Sequence, residues 1–261
     1  MIKRNPSQQR AIAHLSGPMM VLAGPGSGKT SVIVERTAYR INEGGISPSN
    51  ILVVTFSRAA AKEMKERFLR LMEQSEEKPQ GYGNVSFGTF HAVFFSILKL
   101  SYGFTAANIL REETRYQYMK EIVSRLTLEI DDENEFISGV LGEISLIKNE
   151  RISLEHYFSK NCAEDIFRKI FASYEQRKRN ARLIDFDDML SYTWELLTKR
   201  QDILEAWQKK FRYILHIPVN IHKEQTDACS LPVNSYCNIN LLESHPLFQN
   251  TGTHSFKFDT F

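Results

Sequence analysis

Residues Ala23 to Thr30 read AGPGSGKT, and the segments on either side give that stretch its meaning. Before it, Gly17 to Leu22 (GPMMVL) is a short apolar run of strand character. After it, Val34, Ala38 and Ile41 recur at helical spacing within Ser31 to Ile41. Strand, glycine-rich turn and helix in that order are the setting of the phosphate-loop pattern, here with Ala23 in the first glycine position. Gly24, Gly26 and Gly28 let the backbone fold its N–H groups around a polyphosphate at a helix N-terminus. Lys29 then reaches the β/γ-phosphates, and the Thr30 hydroxyl can ligate Mg2+. The motif predicts nucleotide binding without naming a reaction.

Working outward, Asn50 to Phe56 (NILVVTF) is a β-branched run of the kind buried on both faces of a parallel sheet. Ala60, Met64, Phe68 and Leu71 then place a helix over Ala59 to Met72. A polar loop follows at Glu73 to Gly83. Asn84 to Phe90 (NVSFGTF) reads as a third strand, and Val93, Phe94, Ile97 and Leu98 as the next helix. Alternation of strand and helix argues for a parallel α/β sheet. From about Ala106 to Asn180 the sequence turns charged and helical without convincing strands. Ala181 to Leu197 is again an amphipathic helix, and FRYIL (Phe211 to Leu215), preceded by a basic turn, resumes the sheet. Pro218, two residues after the following His216, suits only an exit from it.

Composition adds boundaries. The chain has 261 residues with 42% apolar and 25% charged content, enough for a soluble protein with a core, and its net charge of +2 does not by itself argue for nucleic acid. The N-terminus lacks the apolar core of a signal peptide, and no stretch approaches the length of a membrane span, so no membrane partner and a cytoplasmic location are expected. Cys162, Cys229 and Cys237 stand at unrelated spacings and form no disulfide framework. The last 46 residues contain no arginine and 6 charged residues, against 58 charged residues in the first 215. His222, Cys229, Cys237 and His245 match no paired zinc-ligand spacing.

Two further segments carry candidate chemistry. In VVTFSRAAAKEMKERF, Phe56 follows the second strand at its carboxyl end, where an exposed aromatic can stack on a base and Arg58 can meet a phosphate; a core Phe56 and a solvated Arg58 fit the periodicity equally well. In FGTFHAVFFSIL, Thr89 and His91 lie at the tip of the third strand, with a structural histidine as the alternative.

Taken in order, these segments resemble the Rep/UvrD-type superfamily 1 DNA helicases. NPSQQRAIAH resembles their glutamine motif, AGPGSGKT their phosphate loop, TFSRAAAKEM and GTFHAVFFSIL their single-strand contact motifs, and ISLIKN and IDFDDML their helical-subdomain and return-helix signatures. The resemblance covers Met1 to about Leu215. It implies a RecA-like P-loop NTPase sheet over residues 1–106 and 181–215, an all-helical insertion subdomain over 107–180, and an atypical tail over 216–261. It also implies a motor that moves 3′ to 5′ on single-stranded DNA with ATP and Mg2+. Gln8 would contact the adenine edge, Gly24, Gly26, Ser27, Gly28, Lys29 and Thr30 would hold the phosphates, and Thr30 the Mg2+. Phe56, Arg58, Thr89 and His91 would lie along the DNA. Departures are Ser57-Arg58-Ala59 in place of Thr-Asn-Lys and Ser31 in place of a common arginine.

The strand resembling FRYIL runs in that family into an Asp-Glu pair that holds Mg2+ through water and positions the attacking water; this chain continues His216-Ile217. The expectation is therefore an N-terminal ATP-binding domain, truncated or frame-shifted after Leu215. It would lack the second domain and its arginines, and be hydrolysis-deficient alone. Asp185, Asp187 and Asp188 are possible substitute carboxylates, disfavoured by their helical flanks. The competing classes are a nucleotide and single-strand binding module without turnover, and a P-loop kinase.

Overall fold

The computed structural model describes residues 4–17, 19–24, 26–75, 78–126, 128–216 and 257–260. These fall into two compact units, one of residues 4–93, 197–216 and 257–260 and the other of residues 94–196.

The first unit is α/β. Helix α1 (Pro6–Ala13) opens on an Asn5 cap with Pro6 just inside, where the missing N–H is not needed. Strand β1 (Met19–Leu22) leads through the glycine-rich loop into α2 (Lys29–Asn42). Strand β2 (Ile51–Thr55) is buried along its whole length and leads into α3 (Arg58–Glu73). Strand β3 (Ser86–Thr89) runs directly into α4 (Phe90–Tyr102). After the second unit the chain returns through α9 (Gln201–Lys210), a helix absent from the sequence reading, to strand β4 (Tyr213–His216).

Each ladder is parallel, as expected. Three strands are ordered β3-β2-β4, and β1 pairs separately with a strand at Lys257–Thr260, β5, whose register sets Met19 opposite Lys257. One core joins Val34, Ala38 and Ile41 of α2, Ile51 and Val53 of β2, Met64, Phe68 and Met72 of α3, Val85 and Leu215. The strand expected at Phe211 to Leu215 is displaced toward the C-terminus. Phe211 instead closes α9, donating its N–H to the Trp207 carbonyl at 2.8 Å and packing on that indole at 5.7 Å between ring centroids. The Asn50 side-chain amide, just before β2, donates to the carbonyls of Lys209 and Lys210, which brings β4 beside β2.

The second unit is helical, with α5 (Glu112–Val123), α6 (Glu133–Glu150), α7 (Glu164–Ala181) and α8 (Phe186–Lys199) following the part of α4 beyond Val93. Its core includes Leu110, Met119, Ile137, Val140, Ile144, Phe167, Ile170 and Tyr174. The entering segment at Ile109 bridges the leaving segment at Ile184 in parallel, with Leu110 N–H to Ile184 O and Ile184 N–H to Asn108 O both at 2.8 Å. That bridge is why α8 starts at Phe186 rather than near Ala181: Leu183 and Ile184 are drawn out as extended chain.

Candidate functional site

The loop between β1 and α2 owes its shape to glycine. Gly26 and Gly28 sit at φ +73° and +81°, a left-handed conformation costly for any residue with a Cβ. Gly28 is the N-cap of α2, and no side chain among the described residues caps the helix in its place. The first-turn N–H groups of an α-helix have no intrahelical partner and carry the positive end of its dipole, so this end suits an anion. Lys29 arches over the loop, its Nζ donating to the carbonyls of Ala23 at 3.2 Å and Gly24 at 2.9 Å. Thr30 follows in the same turn. The buried Ser27 hydroxyl has no hydrogen-bond partner among the described residues, a costly arrangement that a polar ligand or water would relieve. These groups fit a nucleotide polyphosphate with its Mg2+.

Gln8 sits against this loop. Its Nε2 donates to the Ser27 carbonyl at 2.9 Å, while its Oε1 accepts the Asn5 N–H at 3.1 Å and the Asn5 side chain accepts the Gln8 N–H at 2.8 Å. This reciprocal capping box is legible in the sequence as Asn-x-x-Gln, but its link to the loop is not. The whole α1 segment is fastened to α2. Arg4 pairs with Glu35 through both carboxylate oxygens, the buried Arg36 donates to the Ala11 carbonyl, and the buried Arg40 donates to the carbonyls of Leu15 and His14. Burial, together with Arg40 nearby, lowers the Arg36 guanidinium to about 10, still protonated at neutral pH.

The tips of β2, β3 and β4 lie at one end of their sheet, since Thr55 is opposite Thr89 and Val54 opposite His216. Phe56, the next residue after β2, is 42% exposed and so stands outside the core. Ser57 caps α3, accepting the Ala60 N–H at 3.1 Å, which places the exposed Arg58 at the helix start. Thr89 is buried, and its hydroxyl accepts the Ala92 N–H at 3.3 Å, fixing the first turn of α4 where the half-buried His91 lies. His216 ends β4 with its ring edge-on to Phe90, centroids 6.0 Å apart.

The carboxylates of IDFDDML are placed quite differently. Asp185 and Asp188 form the capping box of α8: the Asp188 N–H donates to Asp185 at 2.7 Å and the Asp185 N–H to Asp188 at 3.0 Å. Both carboxylates are buried among two lysines. Lys178 Nζ lies 2.7 Å from each, and Lys148 contacts both, at 2.8 Å from Asp185. Glu175 contacts Lys178 at 2.8 Å, and the Tyr174 hydroxyl donates to Asp185 at 3.1 Å. The oxygens of Glu175, Asp185 and Asp188 approach closely enough to surround a cation, and the two ammonium groups meet that need. Burial opposes the charge on Asp185, yet the two lysines outweigh it and hold the carboxyl well below the usual carboxylate range. Three carboxylates facing two lysines leave one in excess, so burial and the neighbouring Asp185 push Asp188 up. Asp187 accepts from Ser145 at 2.6 Å and Asn149 at 2.9 Å. ISLIKN and IDFDDML are thus two halves of one buried cluster, a pairing that sequence inspection missed because the two lie 36 residues apart from Asn149 to Asp185.

Comparison with known proteins places these observations. The model of the UvrD/REP helicase N-terminal domain matches residues 4–216. The chain is 36% identical over 214 residues to YjcD of Bacillus subtilis, covering 81% of this chain and 28% of that protein. It is 33% identical over 217 residues to the ATP-dependent DNA helicase PcrA of the same organism, covering 80% and 28%, and 31% identical over 220 residues to the ATP-dependent DNA helicase Rep of Escherichia coli, covering 82% and 32%. The chain therefore spans about a third or less of these relatives' length. On that match, which includes the phosphate loop, the sheet tips and the buried cluster alike, the chain belongs to the UvrD/REP helicase N-terminal domain family.

Proposed function

We propose that this chain is the ATP-binding part of a 3′ to 5′ DNA helicase, a RecA-like P-loop domain that binds ATP with Mg2+ and single-stranded DNA in the cytoplasm. Among the described residues no helix is long and apolar enough to cross a membrane. The observation that carries the reading is the loop before α2: an uncapped helix N-terminus, a lysine folded over it and a buried hydroxyl without a partner. Gly24, Gly26, Ser27 and Gly28 present backbone N–H groups to the phosphates, and Lys29 exchanges its two carbonyl partners for phosphate oxygens. Thr30 would hold the Mg2+, which when bound neutralises charge on the β and γ oxygens. Gln8 faces the base. DNA runs across the sheet tips, stacking on Phe56 and meeting Arg58 and His91, with Thr89 holding the start of α4 in place.

A second reading, binding without turnover, is favoured by one specific observation: β4 ends in His216 followed by Ile217, neither of which offers a carboxylate to Mg2+ or to water. Asp185 and Asp188 do not substitute, because lysines already neutralise them. A P-loop kinase reading gains no support from the sheet tips, where an exposed aromatic suits a base better than a small phosphoryl acceptor. The test is titration of the chain with a fluorescent ATP analogue in Mg2+, beside Lys29→Ala. Loss of a cation facing two phosphates is expected to weaken binding about tenfold or more. Equal affinity of the two proteins overturns the phosphate-loop assignment, and DNA-stimulated phosphate release that is absent in Lys29→Ala overturns the reading without turnover.

A further inference from the structure

We infer that Asn5 is a positioning residue that sets the choice of nucleobase by locking the side-chain amide of Gln8 in one orientation. The inference rests on the nucleotide-binding reading above and adds to it the means of discrimination. An isolated glutamine amide can turn over, exchanging its oxygen and nitrogen, and each orientation presents a different donor-acceptor order to a ligand. Gln8 has no such freedom. Its Oε1 faces the Asn5 N–H, which can only donate, and its Nε2 faces the Ser27 carbonyl, which can only accept. The reverse orientation sets N–H against N–H and oxygen against oxygen, leaving both pairs repulsive.

These two bonds use one lone pair of Oε1 and one hydrogen of Nε2, so one acceptor site and one donor site remain. That pair complements a purine bearing an amino group beside a ring nitrogen, as adenine does: Oε1 accepts from the amino group and Nε2 donates to the nitrogen. Hypoxanthine and guanine carry an oxo group at the same position, which meets Oε1 as acceptor against acceptor. The lock is local. The Asn5 side chain accepts the Gln8 N–H at 2.8 Å, and Pro6 fixes the entry into the helix, so the first turn of α1 delivers the Asn5 N–H to Oε1. At its other end the amide lies on the phosphate loop itself, with Nε2 3.4 Å from where a Cβ on Gly28 would stand. Base recognition and loop conformation therefore share one side chain. Without the Asn5 cap the first turn loosens, the amide turns over, and adenine loses more than a base that never matched it.

The experiment measures the affinities of the 261-residue chain, and of its Asn5→Ala, Asn5→Asp and Gln8→Glu variants, for ATP and for ITP, which differ at the six-position. The unaltered chain is expected to prefer ATP by about tenfold or more. In Asn5→Ala that preference should shrink by about fivefold, chiefly through weaker ATP binding, whereas Asn5→Asp, which keeps the capping oxygen, should retain it. Gln8→Glu keeps the acceptor for Asn5 but places oxygen against the Ser27 carbonyl, and should also lose ATP more than ITP. Equal affinity of the unaltered chain for the two nucleotides overturns the inference, as does a proportional loss of both in Asn5→Ala or in Gln8→Glu. Failure of the unaltered chain to bind either nucleotide is a different result: it removes the phosphate-loop reading and this inference with it.

Discussion

The phosphate-loop unit and the helical unit spend their polar side chains in opposite ways. Around the loop, Ser27 keeps a buried hydroxyl without a partner, the α2 N-terminus lacks a side-chain cap, and Phe56 stands exposed at a strand tip. In the helical unit, Lys148, Lys178, Glu175, Asp185 and Asp188 are drawn into one buried cluster whose charges satisfy one another. Carboxylates resemble catalytic groups in a sequence whichever role they have. What separates the two roles is whether the fold has already supplied their partners.

The largest effect that would sharpen this contrast comes from Lys178→Ala. Removing one member of a buried ion cluster strands the opposing charges, and a cost of about 3–5 kcal/mol is expected in chemical denaturation followed by helical circular dichroism. Nucleotide affinity under native conditions should stay near that of the unaltered chain. A variant of ordinary stability would show that the cluster is not the fastening described, and a selective loss of nucleotide binding would erase the contrast between the units.

Acid should act on the same cluster in a defined window. The folded-state carboxyl of Asp185 lies well below its unfolded value, so its contribution to stability is present above the unfolded value, about 4, and is lost as pH falls through the folded one. Asp188 is shifted upward and works in the opposite sense, gaining stability as pH falls from its folded to its unfolded value. Denaturation midpoints should therefore change little or rise slightly on mild acidification and fall only below about pH 4. A steady decline beginning near neutrality would contradict this charge arrangement.

The smallest effect belongs to the exposed side. Phe56→Ala should cost about 1–3 kcal/mol in affinity for single-stranded DNA, read by fluorescence anisotropy at fixed salt, with no loss of thermal stability because the ring lies outside the core. A destabilised variant with unaltered DNA affinity would return Phe56 to a structural role.

Much of the first unit was legible in the sequence because its signals are local. The β-branched run at Ile51 to Thr55 and the glycine-lysine-threonine turn each declare their conformation within a few residues. The location of β4 was less so, since Phe211 has the apolar character of a strand residue and only its packing on Trp207 assigns it to the end of α9. Helix α9 itself, Gln201–Lys210, has its buried Leu204 and Trp207 among charged neighbours, a pattern easily read as a basic turn. The orientation of Gln8 and the joining of Lys148 to Asp185 depend on tertiary contacts between separated segments, which periodicity does not record. The expected tail over residues 216–261 lies largely outside the described residues, and Lys257–Thr260, paired with β1, is a strand that composition did not suggest.

The two arginines inside α2 carry a consequence for anyone who would shorten this protein. Arg36 and Arg40 have backbone carbonyls of Ala11, His14 and Leu15 as acceptors, so the opening residues are solvent substitutes for two guanidinium groups rather than a loose leader. Deleting them would uncover cationic sites on the helix that carries the phosphate loop. It would leave a preparation prone to gathering stray anions, with an apparent affinity for phosphate unrelated to nucleotide binding.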